Sequence, residues 1–201
     1  MMKIGILGGT FDPVHVGHLA AADEVVCRLG LDEVLFIPAG RPWLKDGTEI
    51  LPAEHRFKMV ELAITGKPGF KASTMELERQ GFTYTVDTIA ELKRQYGDGD
   101  ELFFIVGWDK LVEIPRWRQP ERLIKMCRLV AVPRVGYPPP DLDALEAAVP
   151  GISQRVIMLD KPEIDVSASV IRERVRQGLS ISGLVPEAVE RYIRKQGLYR
   201  D

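Results

Sequence analysis

The chain has 201 residues, 45% of them hydrophobic and 28% charged, enough apolar material for one compact α/β domain, with or without a small helical appendage. With 27 basic and 29 acidic residues the formal net charge is -2, so no global positive excess points to nucleic acid or a membrane surface as partner, and any basic site must be local. Cys27 and Cys127 lie far apart without a CxxC pair, which disfavours a disulfide framework or zinc knuckle, and no apolar run approaches the ~20 residues that span a bilayer; a cytoplasmic protein with buried free thiols is expected.

The first element, KIGILGG (3–9), is an apolar run closed by two glycines, the pattern of a buried parallel strand that ends in a tight turn. From Gly17 onward Leu19, Ala22, Val25, Val26 and Leu29 recur at helical spacing, and Gly30 supplies the stop. EVLFIPAG (33–40) reads as a second buried strand, and PAEHRFKMVELAI (52–64) as a helix with Pro52 near its start. A helix over 84–97 and a strand over 101–107 follow, then strands over 128–134 and 155–160, with GYPPPDLD (136–143) as the strongest loop signal. Helices over 167–178 and 186–197 close the chain. Strands alternating with helices predict a doubly wound parallel sheet with C-terminal helices, in one domain over 1–201 whose helical part begins about residue 165.

Ligands of such sheets sit beyond the carboxyl ends of the strands, where the run GGTFDPVHVGHL lies. If the helix begins near Gly17, His18 falls in its first turn and His15 just before it, so both rings can face that space. Free N–H groups and the helix dipole attract anions there, Gly8, Gly9 and Gly17 allow backbone to approach closely, and Thr10 offers a hydroxyl. A phosphate-binding role is favoured over zinc, since no HExxH is present and only the distant His55 could be a third imidazole. Either histidine alone would be read as structural. Ser167 or Ser169 can cap the helix they precede and Arg172 projects from its first turns, although Arg174 and Arg176 beside it suggest a solvated face by pattern alone. There is no GxxxxGK[ST] and no GxGxxG after the first strand.

GGTFDPVHVGHL resembles the HxGH signature of the nucleotidylyltransferase superfamily. Together with EHRFKM (54–59), YTVDT (84–88), FIVGWDKLVEIPRW (104–117), SASVIR (167–172) and LVPEAVERYIRKQGLY (184–199), it resembles the bacterial nicotinate-nucleotide adenylyltransferase family nearly end to end. The resemblance implies a Rossmann-like fold, ATP and nicotinate mononucleotide as partners, and Mg²⁺ carried on the ATP oxygens with no dedicated protein cage. It implies His15, His18, Lys45 and Arg172 as the catalytic set, the first two on the phosphates and the last two on the leaving pyrophosphate. Gly8, Gly9, Thr10 and Phe11 would complete the cradle, Gly107 and Asp109 would meet the ribose, and Ser167 and Ser169 would add a second phosphate contact. Tyr84, Thr85, Trp117, Arg118 and Lys45 would hold the nicotinate nucleotide, the indole stacking on its pyridinium ring. Three departures from the family stand out: Trp43-Leu44 before Lys45, Trp108 in place of a smaller residue, and Ala168 in place of a serine. Competing readings are an adenylyltransferase for nicotinamide mononucleotide or phosphopantetheine and a non-catalytic nucleotide-binding regulator; a homo-oligomer is compatible with all of them.

Overall fold

The computed structural model describes residues 1–42, 50–97 and 99–200. In chain order the first half contains β1 (Lys3–Gly9), α1 (Val16–Leu29), β2 (Glu33–Pro38), β3 (Arg41–Pro42), α2 (Ala53–Ile64), β4 (Phe70–Ala72), β5 (Phe82–Thr83) and α3 (Thr85–Tyr96). The second half contains β6 (Glu101–Gly107), α4 (Trp108–Leu111), a 3-10 turn (Ile114–Arg116), α5 (Pro120–Met126), β7 (Arg128–Val132), α6 (Leu142–Ala148), β8 (Val156–Met158), α7 (Ala168–Arg176) and α8 (Glu187–Gln196).

Six strands pair in parallel in the order β4-β2-β1-β6-β7-β8, the doubly wound arrangement expected from the alternation, while β3 and β5 form a separate two-stranded ribbon. Burial on both faces of the sheet, with successive side chains entering opposite cores, explains why the central strands read as continuous apolar runs. Leu7, Val34, Phe36, Phe103, Ile105 and Val130 pack on one face against α1 and α2. Ile4, Ile6, Leu35, Ile37, Phe104 and Leu129 pack on the other against α3 and α5. The C-terminal part shares the first of these cores through Ile171, Val189, Ile193 and Leu198. No helix among the described residues is long and apolar enough to cross a membrane.

The elements differ from the sequence expectation mainly at their ends. The second strand stops at Pro38, because Ala39 and Gly40 turn their carbonyls to the Arg56 guanidinium. The strand expected over 128–134 ends at Val132, since Pro133 has no N–H for a ladder, and Arg134 makes only an isolated bridge to Ile164. The last strand spans three residues of the six expected. The edge strand β4 and the short helices α5 and α6 carry too few residues for a periodic signal.

Strand order reverses between β1 and β6, so their carboxyl ends flank a crevice with a helix start on each side. The glycines that end β1 and the glycine that ends β6 line that crevice.

Candidate functional site: the crevice at the switch point

From Gly9 the chain turns sharply into α1. Phe11 takes a left-handed backbone (φ 51) and the Asp12–Pro13 peptide is cis. The Phe11 side chain is 2% exposed and packs against Phe36 and the edge of His18, so it offers a ligand backbone rather than ring. His15 is the N-cap of α1, and its backbone N–H donates to Nδ1 of His18 at 3.2 Å. With Nδ1 accepting, the neutral His18 ring carries its proton on Nε2. The two imidazoles stack at 3.6 Å between centroids. Burial, and then the positive charge of Arg134, lower the pKa of His15 to about 4, so it is neutral at pH 7. Its Nδ1 is buried and makes no hydrogen bond among the described residues. Gly17 is required here on steric grounds, because a Cβ would stand 2.6 Å from Ile164 Cγ2.

Across the crevice, a Cβ on Gly107 would stand 2.5 Å from Asp109 Oδ1. That oxygen is buried without a partner among the described residues, and Asp109 Oδ2 lies 3.4 Å from Arg134 Nη1. Arg134 therefore belongs to the site: it ion-pairs with Asp109 and its charge acts on His15. In the sequence Arg134 reads only as a strand end, and the signal that marks it is a cation just past a central strand of a doubly wound sheet. Beside it opens a cavity of about 230 Å³ lined by Arg134, Tyr137, Ser167, Val170 and Leu184.

The start of α7 closes this side. Ser167 caps the helix by accepting from the Val170 N–H at 3.3 Å, and its hydroxyl lies 3.1 Å from that of Ser169. Arg172 reaches the β1–α1 turn, donating from Nη1 to the Asp12 carbonyl at 2.7 Å. The solvated-face reading of Arg172 is thus excluded, and Ser167, Ser169 and Arg172 are joined to the histidine turn.

A second group lies on the α3 side. Tyr84 is the N-cap of α3, and the Arg118 guanidinium stacks over its ring at 4.6 Å. Trp117 meets Phe104 edge-on at 5.9 Å, and Phe104 in turn lies 3.5 Å from where a Gly8 Cβ would be. Through that ring Trp117 is linked to the end of β1. The indole nitrogens of Trp117 and Trp108 are both buried without a partner among the described residues. Thr85 is the first residue of α3. Lys45, with the Trp43-Leu44 departure, lies outside the described residues.

Two further contributors were not singled out from sequence. Arg56, 2% exposed, donates to the carbonyls of Thr10 at 2.9 Å, Ala39 at 2.7 Å and Leu51 at 2.9 Å, fastening the loops after β1 and β2 to the start of α2. Asp12, 4% exposed, accepts from Tyr199. His55 is engaged with the Tyr192 hydroxyl at 2.9 Å between α2 and α8. No cluster of three or more His, Cys, Asp or Glu side chains that could hold a metal occurs among the described residues.

A family model described as Cytidylyltransferase-like matches residues 6–174, more than half of the chain. This chain belongs to the cytidylyltransferase-like family. Its relatives there include a probable nicotinate-nucleotide adenylyltransferase of Dehalococcoides mccartyi, 52% identical over 198 residues that cover 98% of this chain and 97% of the relative. Another, from Roseiflexus sp., is 45% identical over 197 residues and 98% of each chain. The fold matches that of Plasmodium falciparum nicotinic acid mononucleotide adenylyltransferase, solved in complex with NaAD, with a TM-score of 0.80 at 20% identity over 99% of this chain and 98% of that one. In this cytidylyltransferase-like chain the family match spans the β1–α1 turn, the Gly107–Asp109 corner and Arg172 alike.

Proposed function

We propose that this chain transfers the adenylyl group of ATP to nicotinate mononucleotide, releasing pyrophosphate and forming deamido-NAD. The observation that carries the reading is the convergence on one crevice of two helix starts, one with His15 stacked on His18 and one with Ser167 and Arg172 joined by the Asp12 carbonyl. The near full-length identity to relatives named for this activity supports the same substrates.

A phosphate oxygen of the mononucleotide, already ionised at pH 7, attacks the α-phosphorus of ATP as the bond to pyrophosphate breaks. A strong base is not required, and neutral His15 suits a hydrogen-bonding role. The residues supply alignment and charge neutralisation. His15 and His18 donate to the phosphates, Thr10 and the Gly8-Gly9 backbone border the α-phosphate, and Arg172 with Lys45 takes the leaving group. Asp109, framed by Gly107, meets the ribose. The cavity beside Arg134 is smaller than the roughly 300–1,000 Å³ of whole-ligand sites, so it takes one part of the nucleotide. On the α3 side, Trp117 stacks on the pyridinium ring while the N–H groups near Thr85 and Arg118 meet its carboxylate. Mg²⁺ would arrive with the triphosphate as part of the substrate and would help to neutralise its charge. The chain is read as one cytoplasmic domain.

Pyrophosphate release is to be followed with ATP, Mg²⁺ and either nicotinate or nicotinamide mononucleotide. Release with the acid and much less with the amide is expected; release with neither would sink the enzyme reading, and preference for the amide would reassign the substrate. His18→Ala is expected to lower kcat by about 100-fold or more while circular dichroism stays unchanged.

A further inference from the structure

Behind the histidine turn lies a buried polar cluster around Asp12, in which the Asp12 carboxyl group and Tyr199 have no part in the roles above. Asp12 Oδ1 accepts from the Tyr199 hydroxyl at 2.7 Å, Oδ2 from the Leu51 N–H at 3.4 Å, and its backbone carbonyl from Arg172 at 2.7 Å. Arg56 holds the carbonyl of Thr10, two residues before Asp12, at 2.9 Å. Both carboxyl oxygens of Asp12 and its carbonyl thus have partners, and one of these, Tyr199, is 187 residues away. Tyr199 arrives there just past the left-handed cap Gly197 of α8 and itself takes a left-handed backbone (φ 62), as Phe11 does beside Asp12 (φ 51). Such a backbone is disfavoured for bulky residues and persists where the surroundings hold it. One left-handed residue, Tyr199, thus donates this hydrogen bond, and the other, Phe11, directly precedes its acceptor Asp12.

The Tyr199 phenol remains a donor at any working pH, since burial and then the Asp12 carboxylate push its pKa far above the ordinary value. A hydrogen bond to a buried charge is among the stronger ones, and removing its donor leaves an unpaired carboxylate oxygen inside the protein. That oxygen would seek another partner, and Asp12 would carry the change into the turn between β1 and α1.

We propose that Tyr199 is a positioning residue: through Asp12 it holds the Thr10–Pro13 turn, and with it His15 and His18, in the geometry that the phosphates need. The segment that follows α8 is then part of the site, a role that rests on the phosphate reading of the two histidines. The alternative is that Tyr199 serves only as packing for α8 against the core.

Tyr199→Phe separates the two, because it keeps the ring and removes only the hydroxyl. The chain has three histidines, so the imidazole nitrogen resonances of His15, His18 and His55 can be followed individually, and His55, bonded to Tyr192 on α8, reports on helix packing. The variant is expected to lower kcat by about ten-fold or more, to leave KM for nicotinate mononucleotide unchanged, and to shift the His15 and His18 resonances while His55 stays in place. Normal kcat with His15 and His18 unmoved, or movement of His55 alone, would overturn the proposal. Should Tyr199→Phe fail to fold, Asp12→Ala, which removes the acceptor of the Tyr199 hydroxyl, is expected to shift the same two resonances, and their constancy would count equally against it. If the unsubstituted protein releases no pyrophosphate, the phosphate reading fails, while the ring resonances still decide whether the tail holds the turn.

Discussion

His15 is 6% exposed at the start of α1, with a pKa lowered to about 4 by burial and by Arg134. The unfolded chain binds that proton near the ordinary 6.5, so between pH 6.5 and 4 the unfolded state holds more protons than the folded one. Stability therefore rises with pH across this window: the contribution is complete above pH 6.5 and is lost as pH falls toward 4, on the order of 3 kcal/mol in all. His15→Gln is expected to flatten this limb in urea unfolding measured from pH 7.5 to 4; an unchanged slope would mean the ring is not buried neutral. At this scale the histidine pair was legible from its spacing at a strand–helix junction, and Ser167 from its capping pattern. Arg134 and Asp12 were not, since one reads locally as the end of a strand and the other as a turn residue. Their roles depend on partners brought from elsewhere in the chain, Asp109 for Arg134 and Tyr199 for Asp12.

Each element positions the site by the way it ends. Strand β6 stops at Gly107, whose missing Cβ leaves room for Asp109 to fold back from α4. Gly107→Ala would force Asp109 Oδ1 away and loosen its pairing with Arg134. The expected outcome is a rise in KM for ATP of about ten-fold, with a stability cost of about 1–3 kcal/mol from overpacking, checked by steady-state kinetics beside thermal unfolding. An unchanged KM would remove Asp109 from the nucleotide site. The strands and long helices were readable because buried runs and 3.6-residue periodicity are local properties. The two-residue strands β3 and β5 were not, because their pairing is a contact between distant loops.

Over the whole molecule, the sheet carries one apolar cluster on each face, and α8 returns to cover the face that α1 and α2 also cover. Ile193, 2% exposed on α8, is expected to cost about 2–5 kcal/mol when changed to Ala. Trp108 and Trp117 pack on the opposite face, so tryptophan fluorescence and helical circular dichroism should unfold together in that variant if the chain is one cooperative unit. Separate transitions would show that the C-terminal helices form a domain of their own. The alternation of strands and helices, and hence the doubly wound sheet and the crevice beyond β1, follows from local sequence, because hydrophobic periodicity and glycine stops are written residue by residue. The same local signals place His15, His18, Ser167 and Arg172 at helix starts. Only the folded chain shows that Arg172 turns inward to Asp12, that the charge of Arg134 acts on His15, and that Tyr199 closes on the opening turn. Those contacts depend on desolvation and on partners over a hundred residues apart, which no local pattern encodes.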